Sequence, residues 1–331
     1  MKKKLALALA LVLTLGLFLT SCGDSGKTDK MGKPGGTKLT FTTGGEQGTY
    51  YGFGGVLAGK ISEKTSTSVT HIASGGSKAN ILNLSKGDAQ LAFVQTDVGA
   101  YGYNGERLFD ETTKFDKFST VANLYMEQVQ IVTLDPAIKT VADLKGKVVS
   151  VGDAGSGVFF NAADVLGAYG LDIEKDIQPT YQGFGDSAEA LQDGKIDAAF
   201  LTAGAPTTAV TSLAATKDVY LVALDDEHID QLLKSSPYYS KAVIPAGGDY
   251  KLKEDVTTVA VGAVVVALDE VSDVDVYNFL TGVFGNLEEI KAAHGKGAEL
   301  SLEFAASYGA VPYHPGAVEF FAEHDITVPA K

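Results

Sequence analysis

Residues 42–51 read Thr-Thr-Gly-Gly-Glu-Gln-Gly-Thr-Tyr-Tyr. They follow the short apolar run 39–41 and open a segment with helical periodicity that extends to about Lys64. This order predicts a strand, a glycine-rich turn and a helix. Glycine lets the backbone approach a ligand, and the first N–H groups of a helix have no intrahelical partners, so the turn favours a bound anion. The same glycines also fit a tight turn without a ligand.

The phosphate-binding versions of such a turn do not match. A P-loop ends in Gly-Lys-Ser/Thr, whereas Gly48 is followed by Thr49 and Tyr50, and the dinucleotide fingerprint is not met. An organic anion therefore fits this turn better than a nucleotide does.

The amino terminus has the pattern of an export signal. Three lysines, Lys2 to Lys4, precede an apolar run that ends at Leu19 and is too short for a membrane span. The run leads into Leu-Thr-Ser-Cys, similar to a bacterial lipoprotein signal, so residues 1–21 are predicted to be removed and Cys22 to be lipidated. Residues 22–37 are small, polar and glycine-rich, and they predict a flexible tether.

Composition excludes several functions. Cys22 is the only cysteine, which leaves nothing for disulfides or a thiolate metal site. The formal net charge of −14 argues against nucleic acid as a partner. It does not exclude a small anionic ligand, because local donors can outweigh a distant field that salt screens.

The body of the chain alternates strands and helices. Apolar strands near 39–41, 68–72 and 91–94 each run into glycine or polar residues, and the pattern restarts with a strand at 148–151 and a second glycine-rich turn, 152–157. This pattern predicts open, mostly parallel sheets whose ligands lie at the carboxyl ends of the strands.

The β-rich run 256–267 is long enough to return from a second lobe to the first. We therefore predict an α/β protein of two lobes joined by a hinge of crossing strands. Lobe 1 comprises residues 38–133 and 256–331, and lobe 2 comprises residues 134–255. Two glycine turns facing one cleft are typical of a hinged ligand-binding protein.

No catalytic or metal-binding constellation stands out. Ser156 lies in Ala-Gly-Ser-Gly-Val, which misses the Gly-x-Ser-x-Gly elbow, and no two of the five histidines have a metal-ligand spacing. We therefore expect no enzyme activity, no cofactor and no metal. Arg107 is the only arginine, and its polar surroundings predict a solvated side chain rather than a ligand clamp.

Without an arginine, a carboxylate would be held by backbone N–H groups, hydroxyls and amides. The loops predicted to face the cleft supply such groups, although each could instead cap a helix or a turn. These candidates are Gly48, Thr49, Ser74, Ser77, Asn80, Gln95 and Ser156.

A series of motifs resembles the TAXI family, the extracytoplasmic solute receptors of one branch of the tripartite ATP-independent periplasmic (TRAP) transporters. The motifs are residues 44–51, Ser-Gly-Gly-Ser-x-x-Asn at 74–80, Leu-Ala-Phe-Val-Gln-Thr-Asp at 91–97, 141–147, 151–157, 193–198, 204–207, Tyr239 with 244–247, and 314–317. Together they cover roughly residues 38 to 325 in order.

The resemblance implies a type II periplasmic-binding-protein fold, a glutamate, glutamine, dicarboxylate or 2-oxoacid ligand, and delivery to a permease driven by an ion gradient. By position it implies a cleft lined by Thr49, Tyr50, Ser74, Ser77, Asn80, Gln95, Asp97, Ser156 and Gly157, with Tyr239 from the second lobe. Where family members carry an arginine or lysine after the strand near 129–132, this chain has Thr-Leu-Asp at 133–135.

The sequence thus predicts a monomeric solute receptor, anchored to the cell membrane through Cys22 and partnered by a small organic anion or amino acid and a TRAP permease subunit. Three alternatives remain open. One is a binding protein of an ABC importer with the same fold, the second is an enzyme on this scaffold, and the third is a surface-exposed interaction protein.

Overall fold

The computed structural model describes residues 30–110 and 112–331. The predicted signal peptide, 1–21, and the predicted lipidation site, Cys22, lie outside the described residues. The strands are β1 (Lys38–Thr42), β2 (Ser68–Ile72), β3 (Leu91–Gln95), β4 (Phe118–Thr133), β5 (Val148–Ser150), β6 (Gln178–Thr180), β7 (Ala198–Ala203), β8 (Tyr220–Leu221), β9 (Ser240–Ile244) and β10 (Val256–Leu268). The helices are α1 (Thr49–Lys64), α2 (Ser77–Lys86), α3 (Thr96–Asn104), α4 (Val158–Ala168), α5 (Phe184–Gln192), α6 (Thr208–Ala214), α7 (Asp226–Ser235), α8 (Asp273–Phe284), α9 (Leu287–Ala293), α10 (Leu302–Ala305) and α11 (Pro315–Ala322).

The strands form one continuous sheet in the order β2-β1-β3-β10-β4-β7-β5-β6, with β8 added to β4 and β9 added to β10. β1 pairs in parallel with β2 and β3, and β5 pairs in parallel with β6 and β7. Between these two parallel groups, β4 and β10 run antiparallel to each other. Each lobe therefore has its own parallel half-sheet, and the two halves share β4 and β10.

β4 and β10 both cross from one lobe to the other. The first part of β4 pairs with the end of β10, up to Phe118 opposite Leu268, whereas its last part, 128–133, pairs with β7 of lobe 2. The sequence predicted only a strand near 129–132 here, but β4 is 16 residues long. Its side chains are buried on both faces over most of its length, so it lacks the alternation that marks an exposed strand.

The buried hydrophobic residues form one large core, mostly in lobe 1, and two smaller cores built mostly from lobe 2 residues. Phe160 of α4 belongs to lobe 2 by its position in the chain but packs in the lobe 1 core, beside Tyr101 and Phe109. The lobes are therefore in contact through apolar side chains as well as through the crossing strands. The lobe boundaries themselves stay a prediction.

Residues 31–37, which the sequence assigns to the tether, are held on the body of the protein. The backbone N–H of Lys33 donates to Asn278 at 2.7 Å, and both the N–H and the hydroxyl of Thr37 donate to Asp275 at 2.8 Å. These partners lie on α8. The segment is ordered by backbone hydrogen bonds, which its polar composition does not reveal.

No helix within the described ranges is long and apolar enough to cross a membrane.

Candidate functional site

A cavity of about 590 Å³, including the space at its mouth, lies between the two lobes. Its lobe 1 wall is formed by the turns before α1 and α2 and the end of β3, and its lobe 2 wall by the turns before α4 and α5 and the end of β7. The cavity contains eight of the eleven predicted ligand-binding residues, namely Gly48, Thr49, Tyr50, Ser74, Ser77, Gln95, Ser156 and Gly157. That these residues bind a ligand stays a prediction.

Four helices begin at this cavity. α1, α2, α4 and α5 start directly after Gly48, Gly76, Gly157 and Gly183, and all four glycines line the cavity. None of these four positions makes a side-chain capping hydrogen bond, because glycine has no side chain to offer. The first-turn N–H groups and the positive ends of four helix dipoles therefore meet at one space.

Gly76 shows why one of these positions needs glycine. Its φ of +99° lies in a region that residues with a Cβ rarely adopt, and a Cβ there would also contact the backbone of Ser156 in lobe 2. The turn can therefore press against the opposite lobe while leaving the start of α2 open to the cavity.

The lobes are joined across the cavity by hydrogen bonds that involve these same turns. The Thr49 hydroxyl donates to the carbonyl of Gly204 at 2.8 Å, and the N–H of Ala79 donates to the carbonyl of Gly155 at 2.9 Å. At the rim, the N–H of Ala209 donates to the carbonyl of Gln47 at 3.1 Å. The structure is thus a closed form.

The cavity wall also contains Glu127, an acidic residue that none of the sequence motifs indicates. Glu127 of β4 is 2% exposed, and its carboxyl accepts a 2.6 Å hydrogen bond from the hydroxyl of Tyr50, whose ring stacks on Phe93. Burial raises the pKa of Glu127 well above its usual value, against the lowering effect of the Tyr50 hydrogen bond, and burial likewise raises the pKa of Tyr50. Glu127 is the only carboxylic acid of β4, and that was the available signal, because glutamate is rarely buried without a partner.

Two buried polar atoms at the cavity have no partner in the described structure. They are the carboxamide oxygen of Gln95, which is 1% exposed, and the hydroxyl of Thr202, which is 5% exposed. Buried polar atoms are nearly always hydrogen-bonded, so these two atoms are exceptions to the usual pattern. The backbone of Gln95 is held in place, since its N–H donates to the Ser77 hydroxyl at 3.0 Å.

The remaining lining residues carry the charge of the site. Asp153 and Phe184 line the lobe 2 wall. Among the described residues, no arginine or lysine lines the cavity. The hydroxyl of Ser156 donates to the Asp153 carbonyl at 2.7 Å, so it also stabilises its own turn. No group of three or more metal-ligating side chains occurs in residues 30–110 and 112–331.

Asn80, one of the predicted ligand-binding residues, does not line the cavity. Its amide donates to the carbonyls of Thr43 and Phe93 at 2.6 and 2.7 Å, and its oxygen accepts from the Thr42 hydroxyl at 2.7 Å. It is fully buried. Asn80 therefore holds the ends of β1 and β3 together behind the cavity, and its amide has no donor left for a solute.

Asp97 and Tyr239 also lie behind the cavity rather than in its wall. Both accept hydrogen bonds of 2.9 Å from the amide of Asn161 on α4. Arg107, predicted to be solvated, instead forms an ion pair of 2.8 Å with Asp164. These residues connect the lobes on the side where Phe160 packs.

A cleft between two α/β lobes that share two crossing strands, lined by the N-termini of helices from both lobes, defines a type II periplasmic-binding protein, a class of solute-binding proteins. A model of the NMT1-like family matches residues 41–324, and the chain belongs to the NMT1-like family. The predicted fold class is confirmed.

Solved structures of the same fold are distant in sequence. A protein from Bordetella bronchiseptica RB50 has 15% identity and a TM-score of 0.55, covering 87% of this chain and 98% of that one. A periplasmic transporter has 14% identity and a TM-score of 0.51, covering 88% and 94%. The periplasmic aliphatic sulphonate binding protein SsuA of Escherichia coli has 17% identity and a TM-score of 0.45, covering 88% and 91%.

Proposed function

We propose that this protein is an extracytoplasmic receptor that closes its two lobes around a small amino acid and delivers it to a membrane permease. The observation that carries the proposal is the composition of the cavity wall. Four helix N-termini without side-chain caps, from both lobes, share one cavity with the buried carboxyl of Glu127.

The helix N-termini favour the acidic group of the solute. Their free N–H groups and dipoles stabilise a carboxylate without an arginine, and the Thr202 hydroxyl can donate a further hydrogen bond. Because two of these helices belong to each lobe, a carboxylate at their meeting point binds the closed form better than the open one. Such a difference in affinity is what shifts the population towards closure.

The acceptors in the wall favour an amino group. An ammonium has three donors and no acceptor, and Glu127 and the free oxygen of Gln95 offer acceptors in the same cavity. A dicarboxylate or a 2-oxoacid would instead bring a second acceptor, or a second negative charge, to a wall that contains Asp153 but no lysine or arginine. Among the ligands considered from the sequence, glutamate and glutamine therefore fit better than dicarboxylates and 2-oxoacids.

The type of permease rests on the sequence motifs. The ordered series from residues 44–51 to 314–317 supports a TAXI-type receptor of a TRAP transporter, lipid-anchored through Cys22 on the outer face of the cell membrane. A solute-binding lipoprotein of an ABC importer is the alternative, because the same fold and family accommodate it. We propose no catalytic activity.

A binding screen tests the proposal. L-Glutamate, L-glutamine, 2-oxoglutarate and succinate are each titrated by calorimetry and by thermal denaturation. A solute present at 100 times its dissociation constant adds about 2.7 kcal/mol to the free energy of unfolding. We expect stabilisation by one or both amino acids and little by the two amine-free acids. Equal or stronger stabilisation by 2-oxoglutarate or succinate would contradict the amino-acid assignment.

The transporter class is tested separately, by uptake of the bound amino acid into proteoliposomes that contain the permease encoded beside this receptor. Uptake driven by an ion gradient in the absence of ATP supports a TRAP transporter. Uptake that requires ATP hydrolysis assigns the receptor to an ABC importer.

A further inference from the structure

A buried asparagine links the solute cavity to a polar contact between the lobes. Asn161 of α4 is fully buried, and its oxygen accepts a hydrogen bond of 2.8 Å from the amide of Gln95. Its own amide donates to Asp97 in lobe 1 and to Tyr239 in lobe 2, each at 2.9 Å. Every polar atom of this lobe 2 side chain is used, and two of its three partners belong to lobe 1.

The contact continues to the protein surface. The Tyr239 hydroxyl donates to Asp164 at 2.9 Å, and Asp164 pairs with Arg107 of lobe 1 at 2.8 Å. The Arg107 guanidinium also lies over the rings of Tyr101 and Phe160, 5.2 and 5.4 Å from their centroids. We call Asp97, Asn161, Asp164, Tyr239 and Arg107 the interlobe cluster.

Arg107 holds an unusual backbone conformation in this position. Its φ of +55° is uncommon for a residue other than glycine. Such a conformation persists when the surrounding contacts fix it. Here those contacts are the ion pair with Asp164 and two aromatic rings, Tyr101 from lobe 1 and Phe160 from lobe 2. The single arginine of the chain is thus committed to holding the lobes together rather than to the solute.

Gln95 is the point at which the cluster meets the cavity. Its amide is bound to Asn161, so its carboxamide plane is fixed, and its oxygen is one of the two buried atoms without a partner at the cavity. A Cβ added to Gly157 would collide with this oxygen, which shows how closely lobe 2 encloses it. A solute that donates a hydrogen bond to the Gln95 oxygen would therefore bind a side chain whose amide nitrogen is hydrogen-bonded to the interlobe cluster.

We propose that Asn161 is a positioning residue that couples solute binding to lobe closure, by orienting Gln95 towards the cavity while joining the interlobe cluster in the closed form only. The part of this proposal that concerns solute binding rests on the proposed receptor function. The part that concerns lobe closure depends only on contacts between the lobes, so it can be measured without a solute.

Closure should then depend on pH through Asp97. Burial raises the pKa of Asp97 to about 7 in the closed form, against the lowering effects of hydrogen bonds from Val98 and Asn161. The charged groups near it are Arg107, which lowers its pKa, and Asp164, which raises it, with Glu127 and the tyrosines 101, 238, 239 and 308 also within its influence.

The sign of this dependence follows from the two states. When the lobes separate, Asp97 loses Asn161 and gains water, so its pKa should return towards the ordinary 3.8. The closed form then binds the proton more tightly than the open form. Closure is favoured at about pH 4 and loses this contribution as the pH rises to about 7, above which it is constant.

The decisive experiment is small-angle X-ray scattering of the full chain without solute, between pH 4 and 8, combined with calorimetric titration of L-glutamate. The variants are Asn161→Ala, Asp97→Asn and, as a matched control, Asn278→Ala. Asn278 is equally buried and hydrogen-bonded, but its partners are Lys33, Ser66 and Thr67, far from the cavity.

We expect the radius of gyration of the natural protein to increase between about pH 4 and pH 7. Asn161→Ala should be more expanded at every pH and should bind L-glutamate about tenfold more weakly. Asp97→Asn should lose the pH dependence of the radius. Asn278→Ala should melt at a lower temperature but keep the radius, its pH profile and the affinity of the natural protein.

The proposal is overturned if Asn161→Ala behaves like Asn278→Ala, with a lower melting temperature and an unchanged radius of gyration. It is equally overturned if Asp97→Asn keeps the pH profile. If the natural protein binds no amino acid, the proposed function fails, whereas the scattering series still decides whether Asn161 and Asp97 control closure.

Discussion

The hydroxyl of Tyr50 and the carboxyl of Glu127 are joined by a 2.6 Å hydrogen bond in the wall of the cavity. Tyr50 belongs to the first turn of α1, and Glu127 lies on β4, the strand that crosses between the lobes. The contact places a buried acid with a raised pKa beside the helix N-termini, so the proposed positions for the amino group and the carboxylate of the solute adjoin each other.

Replacing Glu127 by glutamine should weaken the binding of solutes that carry an amino group. Glu127→Gln keeps the shape of the side chain but cannot ionise to the carboxylate that an ammonium needs. We expect the affinity for L-glutamate to fall about 30-fold or more, measured by calorimetry, because the ammonium would be buried without a charged partner. Glu46→Gln is the matched control, since Glu46 is exposed in the same glycine-rich turn. An unchanged affinity in the Glu127 variant would refute the subsite.

Binding of an amino acid should release a proton. Burial keeps the pKa of Glu127 well above its usual value in the absence of solute, and an ammonium beside it would lower that pKa. The affinity should therefore increase as the pH rises towards the pKa of the unliganded site. Calorimetry in buffers of different ionisation enthalpy measures this proton release, which should disappear in Glu127→Gln. Proton uptake in the natural protein would indicate that Glu127 donates to an anion instead.

Filling the space at Gly157 should abolish binding. An alanine Cβ there would collide with the carboxamide oxygen of Gln95, which must then leave its position at the cavity. Gly167→Ala is the control, because a Cβ at Gly167, also on α4, meets nothing within 4 Å and should stabilise the helix by about 0.5–1 kcal/mol. Thermal denaturation with and without L-glutamate distinguishes the two. A solute-induced stabilisation that survives in Gly157→Ala would speak against a role for Gln95.

Removing the Asn80 side chain should destabilise the fold rather than act on the solute directly. Asn80→Ala leaves the carbonyls of Thr43 and Phe93 buried without their donor. We expect the free energy of unfolding to fall by about 3 kcal/mol, measured by urea denaturation without solute. Asn104→Ala, at an exposed position, should change it by less than about 0.5 kcal/mol. Full stability of Asn80→Ala combined with a loss of binding would return Asn80 to the list of ligand-binding residues.

The sequence predicted most of the strands and the two glycine turns, because periodicity and turn residues are local signals, but it missed β9 and most of β4. β1, β2, β3 and β10 lie where the apolar runs predicted them. The helices α3, α6, α7 and the short α10 were missed. α3 begins directly after β3, with no glycine or proline between them to mark a boundary. α7 begins at the acidic run 225–227, where Asp225 caps the helix by accepting from the N–H of His228.

The parts of the site formed by local turn motifs were predictable from the sequence. The parts that depend on contacts between distant residues were less predictable. The turn residues around Gly48, Gly76 and Gly157 line the cavity because strand ends of an α/β lobe converge at one edge. Asn80, Asp97 and Tyr239 have polar side chains at suitable positions in the chain, but the protein satisfies those side chains itself. Glu127 and Asn161 were missed because their roles depend on partners 77 and 66 residues away in sequence.

The two crossing strands have a practical consequence for anyone who builds a fluorescent biosensor on this protein. β4 and β10 are paired through the passage between the lobes, from Ala260 opposite Gln128 to Leu268 opposite Phe118, with register shifts at Ala263/Val264 and Val265/Val266. Opening the cleft must therefore twist a paired ribbon over many peptide units instead of swinging on one loose joint. A reporter domain inserted into either strand would cut that ribbon, whereas a pair of dyes attached to the outer surfaces of the lobes would follow its twist and leave it whole.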